Sequence, residues 1–177
     1  MKLALILSAV VLPFAAPAAA QVMPPMDPYP AGQPTTAAQP YLFLAGESDV
    51  FEITSSQVAL MRSRNPAVRR YASQLIDHHT RTTNTALAQA KAAGVTPPAP
   101  ILQAPKRDMI TQLLAAPAAE FDRVYLTQQV PAHEQALAIH RTYAQSGDTA
   151  QLRTAAQAAV PFVVDHLEEA RRMLGAM

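Results

Sequence analysis

The fold is decided by residues 65–94, which read NPAVRRYASQLIDHHTRTTNTALAQAKAAG. Asn65 is a favourable helix N-cap, Pro66 lies in the first turn, where proline is tolerated, and Gly94 is typical of the position beyond a helix end. Between these limits one set of residues recurs every three or four positions: Val68, Ala72, Leu75, His79, Thr82 and Ala86. This spacing predicts one long helix with a mainly apolar stripe, interrupted at its middle by the imidazole of His79.

The rest of the chain carries further helical patterns. Apolar periodicity predicts three more long helices and one short helix, over residues 41–64, 106–116, 118–145 and 149–174. Pro131 and Pro161 fall inside the third and fourth long helices, where each is expected to kink the helix or free a backbone carbonyl. The composition is aromatic-poor with only five glycines, which also favours helices.

The connection between the second and third long helices is unusual. Residues 94–117 contain five prolines and are far longer than two neighbouring antiparallel helices require. Such a segment is long enough to return the chain along the whole bundle. The sequence therefore predicts an all-α fold, a ferritin-like four-helix bundle with a long crossover containing a short helix.

The N-terminus has the pattern of an export signal. Lys2 is a short basic region, residues 3–12 are apolar, and three alanines precede Gln21. We expect residues 1–20 to be a signal peptide cleaved after Ala20, which places the protein in the periplasm or outside the cell. Residues 21–40 contain six prolines and are predicted to form a linker, so the bundle domain is expected over residues 41–177. No later stretch has the length and apolarity of a transmembrane segment.

Charge and cysteine usage exclude several function classes. Removal of residues 1–20 takes away Lys2, so the formal net charge falls from +1 to 0. This balance gives no reason to expect nucleic acid as a partner, and no other partner is indicated. The chain has no cysteine, which excludes disulfides, thiolate metal sites and cysteine nucleophiles. Neither a glycine-rich phosphate loop nor a Gly-x-Ser-x-Gly elbow occurs, so no reaction or substrate is indicated.

Each long helix offers one polar residue near its middle that is expected to face the bundle interior: Glu52, His79, His133 and His166. At 1.5 Å per residue their depths in the bundle differ by less than about 10 Å, so their side chains can meet. Glu52 has small neighbours that permit close helix approach, but Glu47 and Asp49 nearby leave open that this face is solvated. His78 and His140 are expected to be ordinary surface or flank histidines.

Two interpretations of this cluster remain open. Three imidazoles and one carboxylate could hold a single metal ion such as zinc, iron or copper. Alternatively, neutral histidines could hydrogen-bond each other, Glu52 or the carbonyls freed by the prolines, and so set the register of the helices. A ferritin-type di-iron centre is not expected, because Ile76 and Val163 stand where the Glu-x-x-His motifs need glutamate.

Five blocks of the chain carry a family resemblance: Phe51-Glu52-Ile53, Leu75-Ile76-Asp77-His78-His79-Thr80 with Asn84, Phe121-Asp122-Arg123 with Tyr125-Leu126, Val130-Pro131-Ala132-His133-Glu134, and Pro161 with His166-Leu167. Together they resemble the motifs of a bacterial exported domain of unknown function, numbered 4142, which is predicted to be ferritin-like. The resemblance covers residues 41–174. His78 and Ala132 stand where that family usually has aspartate beside a histidine, so part of any carboxylate shell is missing here.

The family has no established activity, and the resemblance therefore implies fold and export more than function. The first hypothesis is a non-enzymatic structural or binding module of the cell envelope. The second is a metal-binding protein or metal-dependent oxidase that uses Glu52, His79, His133 and His166. A third, partner binding, would use the short helix through apolar residues such as Ile110 and Leu114, and it would lose its best site if these two residues were buried against the bundle.

Overall fold

A computed structural model describes residues 29–177, and these residues are helical without any strand. Five helices follow one another: α1 (Ala38–Arg62), α2 (Pro66–Ala92), α3 (Ala104–Ala115), α4 (Phe121–Ser146) and α5 (Ala150–Gly175). Four are long and α3 is the short helix of the crossover, so the all-α fold class is confirmed. The predicted signal peptide and the first part of the predicted linker lie outside the described residues.

The limits of α2 are those that its sequence predicts. The side chain of Asn65 accepts a hydrogen bond from the amide of Ala67 at 2.9 Å. Gly94 has φ +69, a left-handed conformation that other residues rarely adopt. The helix therefore begins and ends at local signals that do not depend on the rest of the fold.

The start of α1 corrects the predicted boundary. The helix begins at Ala38, three residues early, because Pro40 lies in the first turn, where its missing N–H is no loss. The amide of Ala38, which has no acceptor within the first turn of the helix, donates to the Asp148 side chain at 3.2 Å. The described part of the predicted linker also packs on the bundle, since the ring of Tyr29 lies 5.1 Å from that of Phe43. Tyr29 thus contacts the bundle, while the division of the chain into a linker and a bundle domain stays a prediction.

The long helices pack around two apolar clusters, one at each end of the bundle. The helix α1 contacts α2 and α4, and α5 contacts the same two helices. One cluster joins the end of α1 to the starts of α2 and α4 and the end of α5: Val58, Val68, Leu75, Phe121, Leu126 and Ala170. The other joins the opposite ends: Tyr41, Phe43, Ala90, Tyr143, Leu152 and Ala156. The chain therefore leaves α2 at one end and begins α4 at the other, as the long crossover predicts.

The crossover helix α3 packs against α1 and α4. Leu113 is fully buried, Ile110 is half-buried and Leu114 is 55% exposed. Arg62, the last residue of α1, donates to the carbonyls of Leu113 at 3.0 Å and Ala116 at 2.6 Å. These bonds satisfy carbonyls that the end of α3 leaves free. Partner binding through α3 stays a prediction.

Within residues 29–177, no helix combines the length and the apolarity that crossing a bilayer requires. Pro131 and Pro161 lie within continuous helices α4 and α5. Between the two apolar clusters the interior of the bundle is polar, and this middle layer holds the predicted site residues.

Candidate metal centre

The four predicted site residues are all buried in the middle layer, one from each long helix. One ring nitrogen from each of His79, His133 and His166 lies within 4.8 Å of the other two. Glu52 is fully buried, with Oε1 3.7 Å from Nδ1 of His133. The alternative of a solvated face on α1 is wrong, because Glu47 and Asp49 are buried as well. Whether these side chains bind a metal stays a prediction.

His79 is oriented by a carboxylate from the neighbouring helix. Its Nδ1 lies 2.7 Å from Oδ1 of Asp49 on α1, while Nε2 has no hydrogen-bond partner among residues 29–177. Thr82 and Thr83 donate their hydroxyl groups to the same carboxylate. An imidazole that donates through one nitrogen presents a lone pair at the other, and carboxylate partners of this kind commonly orient metal-binding histidines.

His133 is oriented by its own helix. Its Nδ1 lies 2.9 Å from the backbone carbonyl of Gln129, one turn earlier. Because a carbonyl only accepts, Nδ1 carries the proton and Nε2 presents its lone pair to the cluster. Nε2 is buried, and the described part of the chain offers it no hydrogen-bond partner.

His166 is held by His78, which corrects the expectation that His78 is an ordinary flank histidine. Nε2 of His166 lies 2.8 Å from Nδ1 of His78, and the two rings stack with centroids 5.1 Å apart. The other nitrogen of His166, Nδ1, is buried without a hydrogen-bond partner in the part of the chain that the structure describes. Each of the three clustered imidazoles therefore uses one nitrogen for a hydrogen bond and leaves the other free.

Burial controls the charges of this cluster. Burial and the charge of His79 lower the pKa of His133 to about 3, and burial with the same charge lowers that of His166 to about 2. Although burial opposes its charged form, the hydrogen bond and charge of Asp49 raise the pKa of His79. Burial raises the pKa of Glu52 to about 7, against the opposing charges of His79 and Lys106. The cluster thus contains two neutral imidazoles at neutral pH.

Five buried polar atoms on these four residues have no hydrogen-bond partner within the described chain: both carboxyl oxygens of Glu52, Nε2 of His79, Nε2 of His133 and Nδ1 of His166. The amide of Gln129 approaches Glu52 but donates to Ser55 at 3.1 Å. Buried polar atoms are almost always paired, so five unpaired atoms on these four residues call for a specific explanation. The metal-free interpretation accounts for one nitrogen of each ring and leaves these atoms unexplained.

Sequence reasoning missed three residues of this layer. Asp49 lies three positions before Glu52, on the same face of α1, and that spacing is a signal that could have found it. Lys106, on α3, is buried with its Nζ 3.6 Å from Glu47. His140 is buried rather than exposed, and its Nδ1 lies 3.2 Å from the hydroxyl of Tyr41. His140 belongs to a separate polar contact outside the three-histidine cluster.

Because His78 replaces the aspartate of the family pattern, the carboxylate that contacts His79 comes from elsewhere in the chain. Asp77 is exposed and pairs with Arg81 at 3.6 Å, one helical turn further along α2. Asp77 therefore contributes nothing to the cluster. The carboxylate beside His79 comes instead from Asp49, on a different helix.

Fold and site together define an all-helical protein whose bundle encloses a cluster of imidazoles and carboxylates. The chain belongs to the family described as a domain of unknown function, DUF4142, whose sequence pattern matches residues 24–173. It is similar in fold to the crystal structure of a DUF305 fragment from Deinococcus radiodurans. That match has a TM-score of 0.70 at 16% identity and covers 84% of this chain and 100% of the other. No curated protein matches the chain.

Proposed function

We propose that this protein binds one divalent transition-metal ion in the middle of its bundle. The ligands are Nε2 of His79, Nε2 of His133 and Nδ1 of His166, with the carboxylate of Glu52 as the fourth. The observation that carries the proposal is the cluster of ring nitrogens, one each from His79, His133 and His166, that lie within 4.8 Å of one another, with the buried, unpaired carboxyl group of Glu52 beside His133.

The geometry supports this assignment. An ion bound tetrahedrally at about 2.1 Å from each nitrogen holds those nitrogens about 3.4 Å apart. One ring nitrogen of each histidine now lies within 4.8 Å of those of the other two. Closing the three rings on an ion needs each nitrogen to move by less than about 1 Å. Side-chain rotation within the helices supplies such a movement without a change of fold.

The donor set selects the class of metal. Imidazole ligands suit zinc, copper, iron, cobalt and nickel, and the lack of cysteine removes the thiolate that favours copper(I). The carboxylates of Glu52 and Asp49 balance the charge of a divalent ion in this buried place. Binding displaces a proton from His79 or Glu52 whenever either is protonated, so affinity rises with pH.

The test is metal analysis of protein purified without a histidine tag, stripped with chelator and titrated with Zn²⁺, Co²⁺ and Cu²⁺. We expect one ion per chain. His133→Ala and His166→Ala should lose stoichiometric binding. The matched control is His140→Gln, which changes a buried histidine outside the cluster and should still bind one ion. Wild-type protein that binds no ion, or His133→Ala that still binds one, would overturn the proposal.

A metal-dependent oxidase would need the same centre with one coordination position left open for a substrate. The first measurement that bears on this function is the metal content of the protein. The non-enzymatic envelope module, export through a signal peptide and the lack of a nucleic-acid partner stay predictions. Export is tested by the N-terminal sequence of the mature protein, which should begin at Gln21.

A further inference from the structure

The proposed centre has little direct contact with solvent. Glu52 and His133 are fully buried, and His79 and His166 are 3% and 1% exposed. An ion cannot reach such ligands by diffusion through a closed bundle. A metal centre of this kind needs a site near the surface where the ion loses part of its water shell. It also needs a side chain at that site that binds the ion before it reaches the buried ligands.

His78 is the half-buried histidine that touches both the cluster and the surface. Its Nδ1 meets His166 at 2.8 Å, and its ring packs against Phe162 with centroids 4.9 Å apart. Together with Arg81, Thr82 and Phe162 it lines a surface groove of about 370 Å³ between α2 and α5. One imidazole therefore spans the distance from this groove to a ligand of the proposed centre.

The charges around the groove do not by themselves attract a cation. Arg81 opposes the approach of a positive ion, while Asp77 and Asp165 act on His78 with the opposite sign. Recognition at this place therefore depends on the imidazole as a ligand rather than on a general acidic surface.

We propose that His78 is the access ligand of the centre: its imidazole binds the incoming ion at the groove before the ion reaches His79, His133 and His166, and the ion leaves by the same route. This inference rests on the proposed metal function. It assigns His78 a role in the rate of loading and release, whereas His79, His133, His166 and Glu52 determine the final affinity.

The alternative role for His78 is to orient His166 only, and the two roles differ in what they change. Removing an access ligand slows binding and release together and leaves the equilibrium unchanged, because a route acts equally in both directions. Removing an orienting partner weakens the final complex, which raises the release rate and the dissociation constant. The choice of substitution separates them, since asparagine can keep a hydrogen bond to Nε2 of His166 but is a poor ligand for transition metals.

The experiment uses the full-length protein and Co²⁺, whose bound form absorbs visible light. Stopped-flow mixing gives the binding rate, chelator challenge gives the release rate, and titration gives the dissociation constant. For His78→Asn we expect both rates to fall about tenfold or more with the dissociation constant changed less than about threefold. His78→Ala tests the same loss without the hydrogen bond, and Thr85→Ala, a groove residue without a metal-binding side chain, should retain wild-type rates.

Two results overturn the inference. Unchanged rates in His78→Asn show that the ion enters elsewhere. A higher dissociation constant produced by faster release, with an unchanged binding rate, shows that His78 only orients His166. Failure of the wild-type protein to bind Co²⁺ is a different outcome, because it removes the proposed function itself.

Discussion

The buried histidines should make the metal-free protein sensitive to mild acid. His133, His140 and His166 have pKa values lowered to about 3, about 4 and about 2, in each case first because of burial. An unfolded histidine titrates near its ordinary value of about 6.5. Below that value the unfolded chain takes up protons that the folded protein refuses, so folding stability falls as the pH falls.

The size of the effect follows from these values. Between about pH 7.5 and about pH 5.5, each of the three histidines costs about 1.4 kcal/mol, or about 4 kcal/mol together. Glu52 acts in the opposite direction, because its pKa is raised to about 7 and the folded protein takes up a proton there that the unfolded chain does not. This uptake returns about 2 kcal/mol over the same range. His79, whose pKa is also raised, adds to the opposing side, so we expect a net loss of about 2 kcal/mol or slightly less.

The assay is urea denaturation followed by far-UV circular dichroism, with chelator present, at both pH values. The decisive variant is Glu52→Gln, which cannot take up the proton and should therefore lose about 4 kcal/mol over the range instead of about 2. Glu168→Gln removes an exposed carboxylate from α5 and should behave like the wild type. Equal losses in wild type and Glu52→Gln would refute the raised pKa of Glu52. A wild-type protein that becomes more stable at the lower pH would refute the burial of neutral histidines.

Three further predictions concern the residues around the centre. Lys106→Met leaves Glu47 buried without the cation 3.6 Å away and should cost about 3–5 kcal/mol in urea denaturation. The double variant with Glu47→Gln should recover most of that loss, and a double variant as unstable as the single one contradicts the pairing. Arg62→Ala removes the hydrogen bonds to the end of α3 and should cost about 1–3 kcal/mol, with an unchanged stability speaking against those bonds. Asp49→Asn should weaken Co²⁺ binding about 10–100-fold at constant pH by disturbing His79, and an unaltered titration curve contradicts that role.

Much of the fold could be predicted because its signals are local or concern length. The Asn65 cap and the Gly94 stop depend only on neighbouring backbone atoms. The proline-rich crossover is long whatever it packs against, and its length alone requires the chain to return along the bundle. The sequence pattern does not predict the early start of α1, because Pro40 is one of the six prolines of the predicted linker, although proline is harmless in a first turn.

The candidate site could be predicted only in part. His79, His133 and His166 each lie on the apolar stripe of their own helix, and that periodicity suffices to place them inside. The partners of these rings could not be predicted, because contact between helices depends on how each is rotated about its axis. Adjacent residues of a helix point about 100° apart. The rotation of α2 about its own axis therefore decides whether His78, next to the inward-facing His79, points to solvent or touches His166 on α5. In the family pattern the aspartate is the sequence neighbour of the histidine. In this chain His78 occupies that position, and the carboxylate that contacts His79 is that of Asp49 on α1.

The placement of the three imidazoles on α2, α4 and α5 has a consequence for how this protein would choose its metal. The three rings are far apart in sequence, and nothing holds them together in space in the unfolded chain. The complete set of ligands therefore exists only after the bundle has formed. Selection then takes place among the ions present where the chain folds, and the same polypeptide folded in two compartments could carry two different metals. The test is to refold the purified protein in defined mixtures of Zn²⁺ and Cu²⁺ and to compare the bound ion with that of protein loaded after folding. The difference measures how far the bound metal depends on the ions present during folding.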